Sequence, residues 1–290
     1  MRLADNWHDY EIIDASNGLK LERWGSIYLL RPDPQIIWDN GDLLEKYQDK
    51  IHAVYYRSNS GGGHWENLKS TPSSWKISYN DLVFNIKQMG FKHTGLFPEQ
   101  AVNWDYMISK IKNANRKIKV LNLFAYTGGA TVACLSAGAS VVHVDSSRGM
   151  IDWCKENVRS SGYIDSDIRY LVDDVVKFVK REIRRGNKYD AIIMDPPSYG
   201  RGSNGEVWNI EKDLSELVKL CTEILSDDPL FLLINSYTTG LSSTVLSNLL
   251  ALTVNKKYSG TISCGEVGIP IKNSDLVLPC GIYGRWESNE

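Results

Sequence analysis

A carboxylate, two prolines and an aromatic ring follow a short apolar run in the second half of the chain. The run Ala191–Met194 predicts a buried strand, and the sequence Asp-Pro-Pro-Ser-Tyr at residues 195–199 ends it. Two prolines remove two backbone donors and force an extended turn. The turn therefore offers a carboxylate, carbonyl oxygens and a ring, which could hold the N–H edge and the face of a flat molecule. The alternative interpretation is a simple turn.

Three earlier predicted strands also end in groups that suit a ligand. Residues 124–129 read Phe-Ala-Tyr-Thr-Gly-Gly, where paired glycines allow close backbone approach and the next helix directs its N–H groups at a ligand. Asp145 ends the second strand, where a carboxylate can accept both hydroxyls of a ribose or can cap a helix. Asp173 and Asp174 end the third strand. One of them could accept from an adenine amino group while the other caps a helix.

These groups lie in a region where strands and helices alternate from about residue 118. Such alternation predicts a parallel sheet with helices on both faces, and ligands bind beyond the carboxyl ends of its strands. Together the four groups describe a nucleoside-shaped ligand along one sheet edge. The chain has neither the Gly-x-Gly-x-x-Gly motif of nicotinamide sites nor a P-loop lysine. The predicted strands are 119–124, 141–144, 168–172, 189–194 and 230–234; the predicted helices are 130–137, 149–159, 175–185, 209–225 and 243–252; an antiparallel hairpin of 258–264 and 279–285 is predicted at the sheet edge.

Residues 1 to about 90 predict a small β-rich domain. Its predicted strands include 26–30 and 35–38 around an Arg-Pro-Asp-Pro turn, and 75–79 and 82–86 around Asn-Asp. Six of the nine tryptophans lie in the first 104 residues. We interpret them as core rather than as a base-stacking surface, because small domains need large side chains to fill their cores. Substrate recognition, covering of the active site and dimerisation all stay open as roles for this domain, and a homodimer is one oligomeric state considered.

The composition is that of an ordinary globular chain: 290 residues, 42% hydrophobic and 23% charged. No run approaches the roughly 20 apolar residues of a membrane span, and the start lacks a signal-peptide core, which predicts a cytoplasmic protein without a membrane partner. The net charge of −2 gives no global argument for nucleic acid, so an RNA partner would need a local patch. The five cysteines and five histidines show no metal-ligand or disulfide spacing.

The motifs, in this order, resemble class I S-adenosylmethionine-dependent methyltransferases, and most of all the branch that contains the ribosomal RNA large-subunit methyltransferases. The segment His-Thr-Gly-Leu-Phe-Pro-Glu-Gln at 93–100 is similar to the Thr-Gly-x4-Gln segment of that branch. The resemblance implies an α/β fold with a Rossmann-like, mostly parallel methyltransferase sheet and an antiparallel C-terminal hairpin. This domain would span 91–290, after the β-rich domain of 1–90. It also implies S-adenosyl-L-methionine as cofactor and ribosomal RNA as substrate.

The resemblance assigns roles to the residues at the strand ends. Residues 124–129 would surround the methionine part, Asp145 would hold the ribose, and Asp174 would face the adenine with Asp173 as its rival. The predicted cofactor-binding residues are Phe97, Gln100, Asn122, Phe124, Ala125, Tyr126, Thr127, Gly128, Gly129, Asp145, Ser146, Asp173 and Asp174. The predicted catalytic residues are Asp195, Pro196, Pro197 and Tyr199, without a metal.

One departure from the family concerns the acceptor atom. Relatives that methylate carbon 5 of cytosine carry a nucleophilic cysteine after the fifth strand, but residues 235–240 here read Asn-Ser-Tyr-Thr-Thr-Gly. A nitrogen or oxygen acceptor needs no covalent step, and of these we predict direct in-line transfer to a base nitrogen in RNA. Ser198 separates the prolines from the aromatic residue, which leaves the acceptor atom open. A small-molecule or protein substrate, and a non-enzymatic RNA-binding protein, are the alternative hypotheses.

Two further segments carry weaker predictions. Residues 200–208 look like a loop, interpreted either as a substrate lid with Arg201 and Trp208 as contacts or as a surface loop. Basic residues recur at helical spacing between Lys177 and Lys188. We favour a solvated helix face over a phosphate-binding stripe there, because the chain as a whole is not basic.

Overall fold

The computed structural model describes residues 1–58, 62–202 and 205–289, which form two compact units. The β-rich unit contains Arg2–Ala101 and Gly268–Cys280, and the α/β unit contains Val102–Val267 and Gly281–Glu290 together with Met1. The division of the sequence after residue 90 stays a proposal about folding domains. Residues 59–61 lie outside the described residues, as do residues 203–204, which are part of the predicted loop 200–208.

The β-rich unit is built from short strands, and its five-stranded sheet has the order β2-β3-β4-β5-β6. Its elements are β1 (Arg2–Leu3), β2 (Tyr10–Ser16), β3 (Leu19–Trp24), β4 (Ile27–Pro32), α1 (Leu43–Tyr47), β5 (Ala53–Arg57), β6 (Gly63–Asn67), β7 (Trp75–Tyr79), β8 (Leu82–Ile86) and a 3₁₀ helix at Pro98–Gln100. The predicted hairpin around Asn-Asp is confirmed as β7 and β8, with Asn80 at a φ of +50° in the turn.

The predicted strand at residues 35–38 is wrong. The carbonyls of Ile36 and Trp38 accept hydrogen bonds from Gly18 and Asn17, and the Trp38 indole donates to the Ala15 carbonyl. These contacts hold the segment as a turn-rich connection against the β2–β3 corner, so its hydrogen-bonding groups are not used in a ladder.

The prediction that the tryptophans of the first 104 residues fill the core of the small domain is confirmed for Trp24 and is wrong for Trp104, which belongs to the α/β unit; the other four are partly buried. Trp24 and Trp104 are almost fully buried. Each of the other four donates its indole N–H to a backbone carbonyl, and this hydrogen bond holds the ring in place: Trp7 to Pro98, Trp38 to Ala15, Trp65 to Met89 and Trp75 to Trp24.

The α/β unit alternates strands and helices, as the sequence predicts. Its elements are α2 (Ala101–Asn113), β9 (Lys119–Leu123), α3 (Gly129–Ser136), β10 (Ser140–Asp145), α4 (Arg148–Ser160), β11 (Ile168–Val172), α5 (Val175–Arg185), β12 (Ala191–Met194), β13 (Tyr199–Arg201), β14 (Val207–Asn209), α6 (Ile210–Glu223), β15 (Phe231–Ser236), α7 (Ser243–Leu252), α8 (Val254–Lys257) and most of β16 (Gly260–Pro270) and β17 (Val277–Ser288). The end of β16 and the start of β17 fall within Gly268–Cys280 of the β-rich unit. None of the helices in the described part of the chain combines the length and the apolar character that crossing a membrane requires.

The large sheet has eight strands in the order β1-β16-β17-β15-β12-β9-β10-β11. The neighbours from β11 to β15 pair in parallel, and β17 pairs antiparallel with β15. This arrangement confirms the predicted mostly parallel sheet with a C-terminal hairpin at its edge. The registers Leu123 with Met194 and Leu123 with Val144 bring the ends of β9, β10 and β12 to one edge.

The core of the α/β unit explains why the strand ends form a stable platform. Strands β12 and β15 are buried along their whole length, as expected for parallel strands covered on both faces. Helix α5 packs Val175, Phe178 and Val179 against the sheet, and Asp174 caps its first turn by accepting from the Lys177 N–H. The loops after the strands are therefore anchored at both ends.

Candidate active site

The loop after β9 has a backbone that ordinary residues rarely adopt. Phe124 and Tyr126 have φ values of +53° and +51°, and Gly128 follows at +84°. Left-handed conformations at non-glycine residues cost free energy and are kept where surrounding contacts enforce them, often at functional sites. Because β9 lies between β10 and β12, this loop lies between the ends of the strands that carry Asp145 and Asp195.

Asp145 holds the loop from the neighbouring strand. Its Oδ2 accepts from the Tyr126 N–H at 2.9 Å, and its Oδ1 accepts from the Ser147 N–H at 2.8 Å. Burial raises the pKa of the Asp145 carboxyl above its ordinary value, although the two N–H groups oppose this. A carboxylate has about four lone-pair sites, so two N–H donors leave acceptors for further hydroxyl groups. Ser147, not Asp145, is the N-cap residue of α4.

A buried polar network lies beneath the loop and was missed by sequence reasoning. The Asn122 amide donates to Thr131 Oγ1 at 2.9 Å, and that oxygen lies 2.8 Å from His143 Nδ1. Burial lowers the pKa of His143 to about 3, so the ring is neutral. Asn122 therefore uses its amide N–H inside the protein, linking β9 to the start of α3. The sequence shows one polar residue, Asn122 or His143, within each of two apolar strand runs. Whether these residues come close together depends on the register of β9 and β10.

Helix α4 packs against the same loop. The Asn157 amide donates to the Thr127 carbonyl at 2.8 Å, and Asn157 is fully buried. A Cβ on Gly128 would lie 2.2 Å from Cys154 Sγ, so only glycine fits there. A Cβ on Gly129 would lie 2.9 Å from the Trp104 ring. The paired glycines thus let the loop pack closely against α4 and α2, while they also begin α3.

The end of β11 contributes two carboxylates with different surroundings. Asp174 caps α5, and Asp173 forms an ion pair with Arg181. The Asp173 N–H donates to the Asp145 carbonyl at 3.0 Å, which places the two strand ends side by side. A small cavity of about 70 Å³ opens here, and its lining residues are Ser146, Val172, Asp173, Asp174, Lys177, Gly202 and Glu206.

The double-proline corner after β12 is fixed by a hairpin rather than followed by a loop. Strands β13 and β14 pair antiparallel, and the buried Trp208 donates its indole N–H to the Pro197 carbonyl at 2.7 Å. Trp208 also packs against Phe124 with ring centroids 5.0 Å apart. The prediction of a loop at 200–208 is therefore wrong for residues 200–201 and 207–208, which belong to β13 and β14, whereas residues 202, 205 and 206 lie in the connection between these strands. With 9% of its surface exposed, Trp208 supports the corner from inside.

The groups at the corner that remain accessible are on its outer side. Tyr199 is 54% exposed, and its hydroxyl accepts from Arg201 Nε at 3.2 Å. Ser198 Oγ lies 2.7 Å from Thr238 Oγ1, which ties the corner to the segment after β15. The Pro197 carbonyl already has its donor in Trp208, so one of the carbonyl oxygens expected to be accessible is in use.

Two groups of predicted residues have other surroundings. Phe97 and Gln100 belong to the β-rich unit, so their cofactor contacts stay predictions. Four basic residues on α5 and in the segment after it have partners within the protein: Lys177 with Glu206, Arg181 with Asp173, Arg185 with Glu182, and Lys188 with the Glu223 carbonyl. The interpretation of this helix face as solvated stays a prediction. Cys134, Cys154 and Cys221 are free and buried.

Comparison with known proteins identifies the family. Residues 30–244 match the model of the S-adenosylmethionine-dependent methyltransferases, which covers well over half of the chain. A crystal structure of a SAM-dependent methyltransferase from Agrobacterium tumefaciens superposes with a TM-score of 0.94 at 34% identity, covering 99% of this chain and 93% of that one. The chain therefore belongs to the S-adenosylmethionine-dependent methyltransferase family, and it is an enzyme of that class with S-adenosyl-L-methionine as its cofactor.

Curated relatives include ribosomal RNA large-subunit methyltransferases. Methyltransferase I of Escherichia coli is 42% identical over 212 residues, which are 67% of this chain and 52% of the relative. Methyltransferase K of Neisseria meningitidis is 25% identical over 250 residues, which are 80% of this chain and 66% of the relative. This chain thus spans about half to two thirds of these relatives. SMU.776, solved in complex with SAH, shares the fold with a TM-score of 0.74 at 18% identity.

The residues at the sheet edge fit the cofactor. The Asp145 carboxylate has lone pairs left to accept further hydrogen bonds. It lies beside the loop after β9, whose left-handed residues are held in place by contacts with the rest of the unit. The start of α3 contributes backbone N–H groups at the same edge, and carboxylates stand at the next strand end. These are the donor and acceptor types that a nucleoside with an amino-acid tail requires.

Proposed function

We propose that this enzyme methylates a nitrogen of a base in ribosomal RNA by direct in-line transfer. The observation that carries this proposal is the Asp-Pro-Pro corner beside the loop 124–129 after β9, combined with the cysteine-free segment 235–240 after β15. Carbon 5 of a pyrimidine needs a covalent nucleophile for activation, whereas a nitrogen lone pair does not. The enzyme then has to position the acceptor against the methyl group, which the bound cofactor supplies from its sulfonium.

The proposed roles at the corner follow from the chemistry of each group. The Asp195 carboxylate and the Pro196 carbonyl accept the N–H bonds of the target base, and the exposed Tyr199 ring stacks on its face. Trp208 keeps the Pro197 carbonyl in place and so fixes the direction of the corner. Arg201, whose Nε is bonded to Tyr199, orients that ring and can contact the RNA backbone.

The proposed cofactor contacts place the ribose at Asp145 and the methionine part along 124–129. Asp174 and Asp173 both stay candidates for the adenine amino group. One oxygen of Asp174 accepts the N-cap hydrogen bond of α5, whereas one oxygen of Asp173 pairs with Arg181. The 70 Å³ cavity between these carboxylates and Ser146 supports an adenine position at this end of the edge.

The RNA substrate is supported by the names of the curated relatives, which are ribosomal RNA large-subunit methyltransferases. Because the chain spans only part of those proteins, the substrate is part of the proposal. A base nitrogen also agrees with an Asp-Pro-Pro corner, since a carboxylate and a carbonyl accept N–H groups.

The test is a transfer assay with methyl-labelled cofactor on ribosomal RNA, total protein and metabolite fractions. We expect label in ribosomal RNA, released on digestion as an N-methylated nucleoside. Asp195→Asn should lower kcat by about 10²-fold, because the amide presents N–H groups to the donor edge of the base. Asp152→Asn, on an exposed carboxylate of α4, is the matched control. Label in a 5-methylpyrimidine or only in protein would reject the proposal.

A further inference from the structure

The β-rich unit contains a second cavity, of about 340 Å³, which we call the lysine–tyrosine cavity. Its polar and aromatic lining includes Lys46, Lys50 and Lys272 together with Tyr28 and Tyr47. The volume falls within the range of small-molecule sites, about 300–1,000 Å³. All of its lining residues belong to the β-rich unit, so it is separate from the sheet edge that carries the methyl-transfer site.

The floor of this cavity is apolar and well supported. Ile13, Tyr28 and Tyr47 are partly buried and pack over a cluster of fully buried side chains. The cluster contains Leu21, Leu30, Leu43, Ile51 and Val54. Each tyrosine therefore has a ring fixed against the core. Rings held in this way lose little entropy when a flat molecule stacks on them.

A strand irregularity brings a carboxylate into the same wall as the apolar floor. Consecutive residues of a regular strand point to opposite faces, but Ile13 and Asp14 both line the cavity. The register of β2 against β3 shifts between Ile12 and Asp14, which marks a β-bulge at Ile13. Bulges re-aim side chains and are common beside binding sites.

Asp14 organises the polar wall. It is 5% exposed, and its carboxylate accepts from Lys46 Nζ at 2.6 Å, from the Tyr47 hydroxyl at 2.9 Å and from the Asn40 amide at 2.8 Å. One buried carboxylate thus orients three lining side chains before any ligand arrives. Lys46 also lies 5.1 Å from the Tyr47 ring, and Lys50 lies 5.9 Å from the same ring.

The opposite wall comes from the turn between β16 and β17. The Lys272 N–H donates to the Ile12 carbonyl at 2.9 Å, so the turn is tied to β2. Lys272 pairs with Glu11 at 2.8 Å while 44% of its side chain stays exposed. The three ammonium groups of the lining outnumber the two carboxylates, Asp14 and Glu11, that pair with Lys46 and Lys272, so the cavity has a local excess of one positive charge in a chain whose net charge is −2.

We propose that the lysine–tyrosine cavity binds one nucleotide of a single-stranded segment of the RNA substrate. The ammonium groups contact the flanking phosphates, a tyrosine ring stacks on the base, and the amides of Asn40 and Asn273 reach its hydrogen-bonding edge. A duplex cannot present an unstacked base to such a cavity. The identity of the ligand as RNA rests on the proposed function, whereas the preference for an anion with an aromatic face follows from the lining itself.

The first test uses the full chain and a fluorescein-labelled oligouridine of eight nucleotides, followed by anisotropy at several salt concentrations. Lys50→Glu should weaken binding by about tenfold at low salt and reduce the slope of log K against log salt by about one. Lys76→Glu, on the exposed face of β7 and absent from the cavity, is the matched control and should change affinity by less than about twofold. Equal losses in both variants would overturn the proposal.

The second test separates stacking from charge. Tyr47→Phe keeps the ring and loses the hydroxyl bond to Asp14, whereas Tyr47→Ala removes the ring. We expect Tyr47→Ala to weaken oligouridine binding by about tenfold or more and Tyr47→Phe by much less. Because Tyr47 packs on the core, thermal unfolding is measured for both variants, and Lys50→Glu decides the question if Tyr47→Ala does not fold.

Failure of this proposal and failure of the proposed function have different signatures. If the wild type methylates ribosomal RNA and Lys50→Glu matches Lys76→Glu in both affinity and KM, the cavity proposal fails and the enzyme function stands. If Lys50→Glu alone loses oligouridine and the wild type methylates no RNA, the cavity stands and the substrate assignment fails. An octaglutamate peptide that binds as tightly as oligouridine, with the same dependence on Lys50, would indicate an acidic protein partner and overturn the RNA assignment.

Discussion

At the scale of single residues, the loop after β9, where we propose that the cofactor binds, is a strained segment held by identifiable contacts. Two non-glycine residues, Phe124 and Tyr126, have left-handed backbones, each of which costs about 1–2 kcal/mol. Asp145 holds the Tyr126 N–H, and Asn157 holds the Thr127 carbonyl. The free energy of these contacts keeps the loop in its shape before the cofactor binds, so binding requires little reorganisation.

Gly128 offers a prediction with a close internal control. Gly128 and Gly138 have similar φ values, +84° and +87°, but a Cβ on Gly138 meets nothing within 4 Å. Gly138→Ala should therefore cost only the backbone strain, about 1–2 kcal/mol of unfolding free energy. Gly128→Ala should cost about 1–3 kcal/mol more, because its Cβ meets Cys154 Sγ at 2.2 Å, and it should abolish most cofactor affinity. Urea unfolding and calorimetry with the cofactor measure both effects.

A double variant isolates the cause of that loss. Adding Cys154→Ala removes the sulfur that the new Cβ would meet, so it should recover part of the stability lost in Gly128→Ala. Cys154→Ala alone should destabilise the protein, since the thiol is fully buried. Purely additive effects of the two changes would show that close packing against α4 does not explain the glycine.

Asp145, the residue that we propose binds the ribose, gives a second prediction at this scale. Asp145→Asn keeps the shape but turns one oxygen into an N–H donor facing the Tyr126 or Ser147 N–H. We expect the dissociation constant for the cofactor to rise by about 10²-fold, because both the loop anchor and a hydroxyl acceptor are lost. Asp152→Asn on the same unit serves as the control. Calorimetry that finds equal affinities in the two variants would remove the ribose assignment.

At the scale of elements, local signals located most of the α/β unit. The bounds of β11, α5 and α7 match the sequence prediction to the residue. Helix α5 begins after its Asp174 cap and ends at Gly186, whose φ is +68°. Both signals are local in sequence, which is why they could be recognised.

The elements that were missed depend on contacts between distant residues. Strands β13 and β14 have three residues each. The hydrogen bond from Trp208 to the Pro197 carbonyl and the ion pair between Glu206 and Lys177 hold them, and no local sequence pattern reveals these contacts. The positions of the carboxylates at the strand ends could be predicted because they follow apolar runs, whereas their roles in cofactor binding stay proposals. The network of Asn122, Thr131 and His143 could not, because it requires the register of two strands. Helix α2 had a readable pattern, since Trp104, Met107 and Ile111 are buried at helical spacing.

The hairpin carries the prediction at this scale. Trp208→Phe keeps a ring against Phe124 but removes the donor to the Pro197 carbonyl, which should cost about 0.5–1.5 kcal/mol of stability. Without this hydrogen bond the Asp-Pro-Pro corner can move, and kcat should fall by about tenfold or more, because small misplacements of reacting groups reduce rates steeply. Val207→Ala, on the exposed neighbouring residue, should leave kcat unchanged. Methyl transfer at saturating RNA measures kcat, and equal values for the two variants would contradict the supporting role.

At the scale of the whole molecule, a net charge near zero conceals uneven local charges. The β-rich unit contains a buried ion pair in which Arg31 Nε lies 2.5 Å from Glu22 Oε2, and Tyr10 donates to Glu22 at 2.7 Å. Burial acts to raise the pKa of the Glu22 carboxyl. The charges of Arg31 and Lys20 and the hydrogen bonds from Arg31 and Tyr10 outweigh it and lower the pKa to about 2.

This ion pair makes the stability of the protein depend on pH in a defined window. A carboxyl whose pKa is lower in the folded chain stabilises it above the unfolded value of about 4.3, and the contribution is lost as the pH falls towards about 2. The shift corresponds to about 3 kcal/mol. Glu22→Gln should lose a similar amount at pH 7, since it leaves the Arg31 cation buried without its partner, and its stability should fall less between pH 4.5 and 2. Glu45→Gln, on an exposed carboxylate of α1, should follow the wild type. Urea unfolding followed by tryptophan fluorescence at several pH values measures both, and parallel curves for wild type and Glu22→Gln would show that Glu22 titrates alike in the folded and unfolded chains.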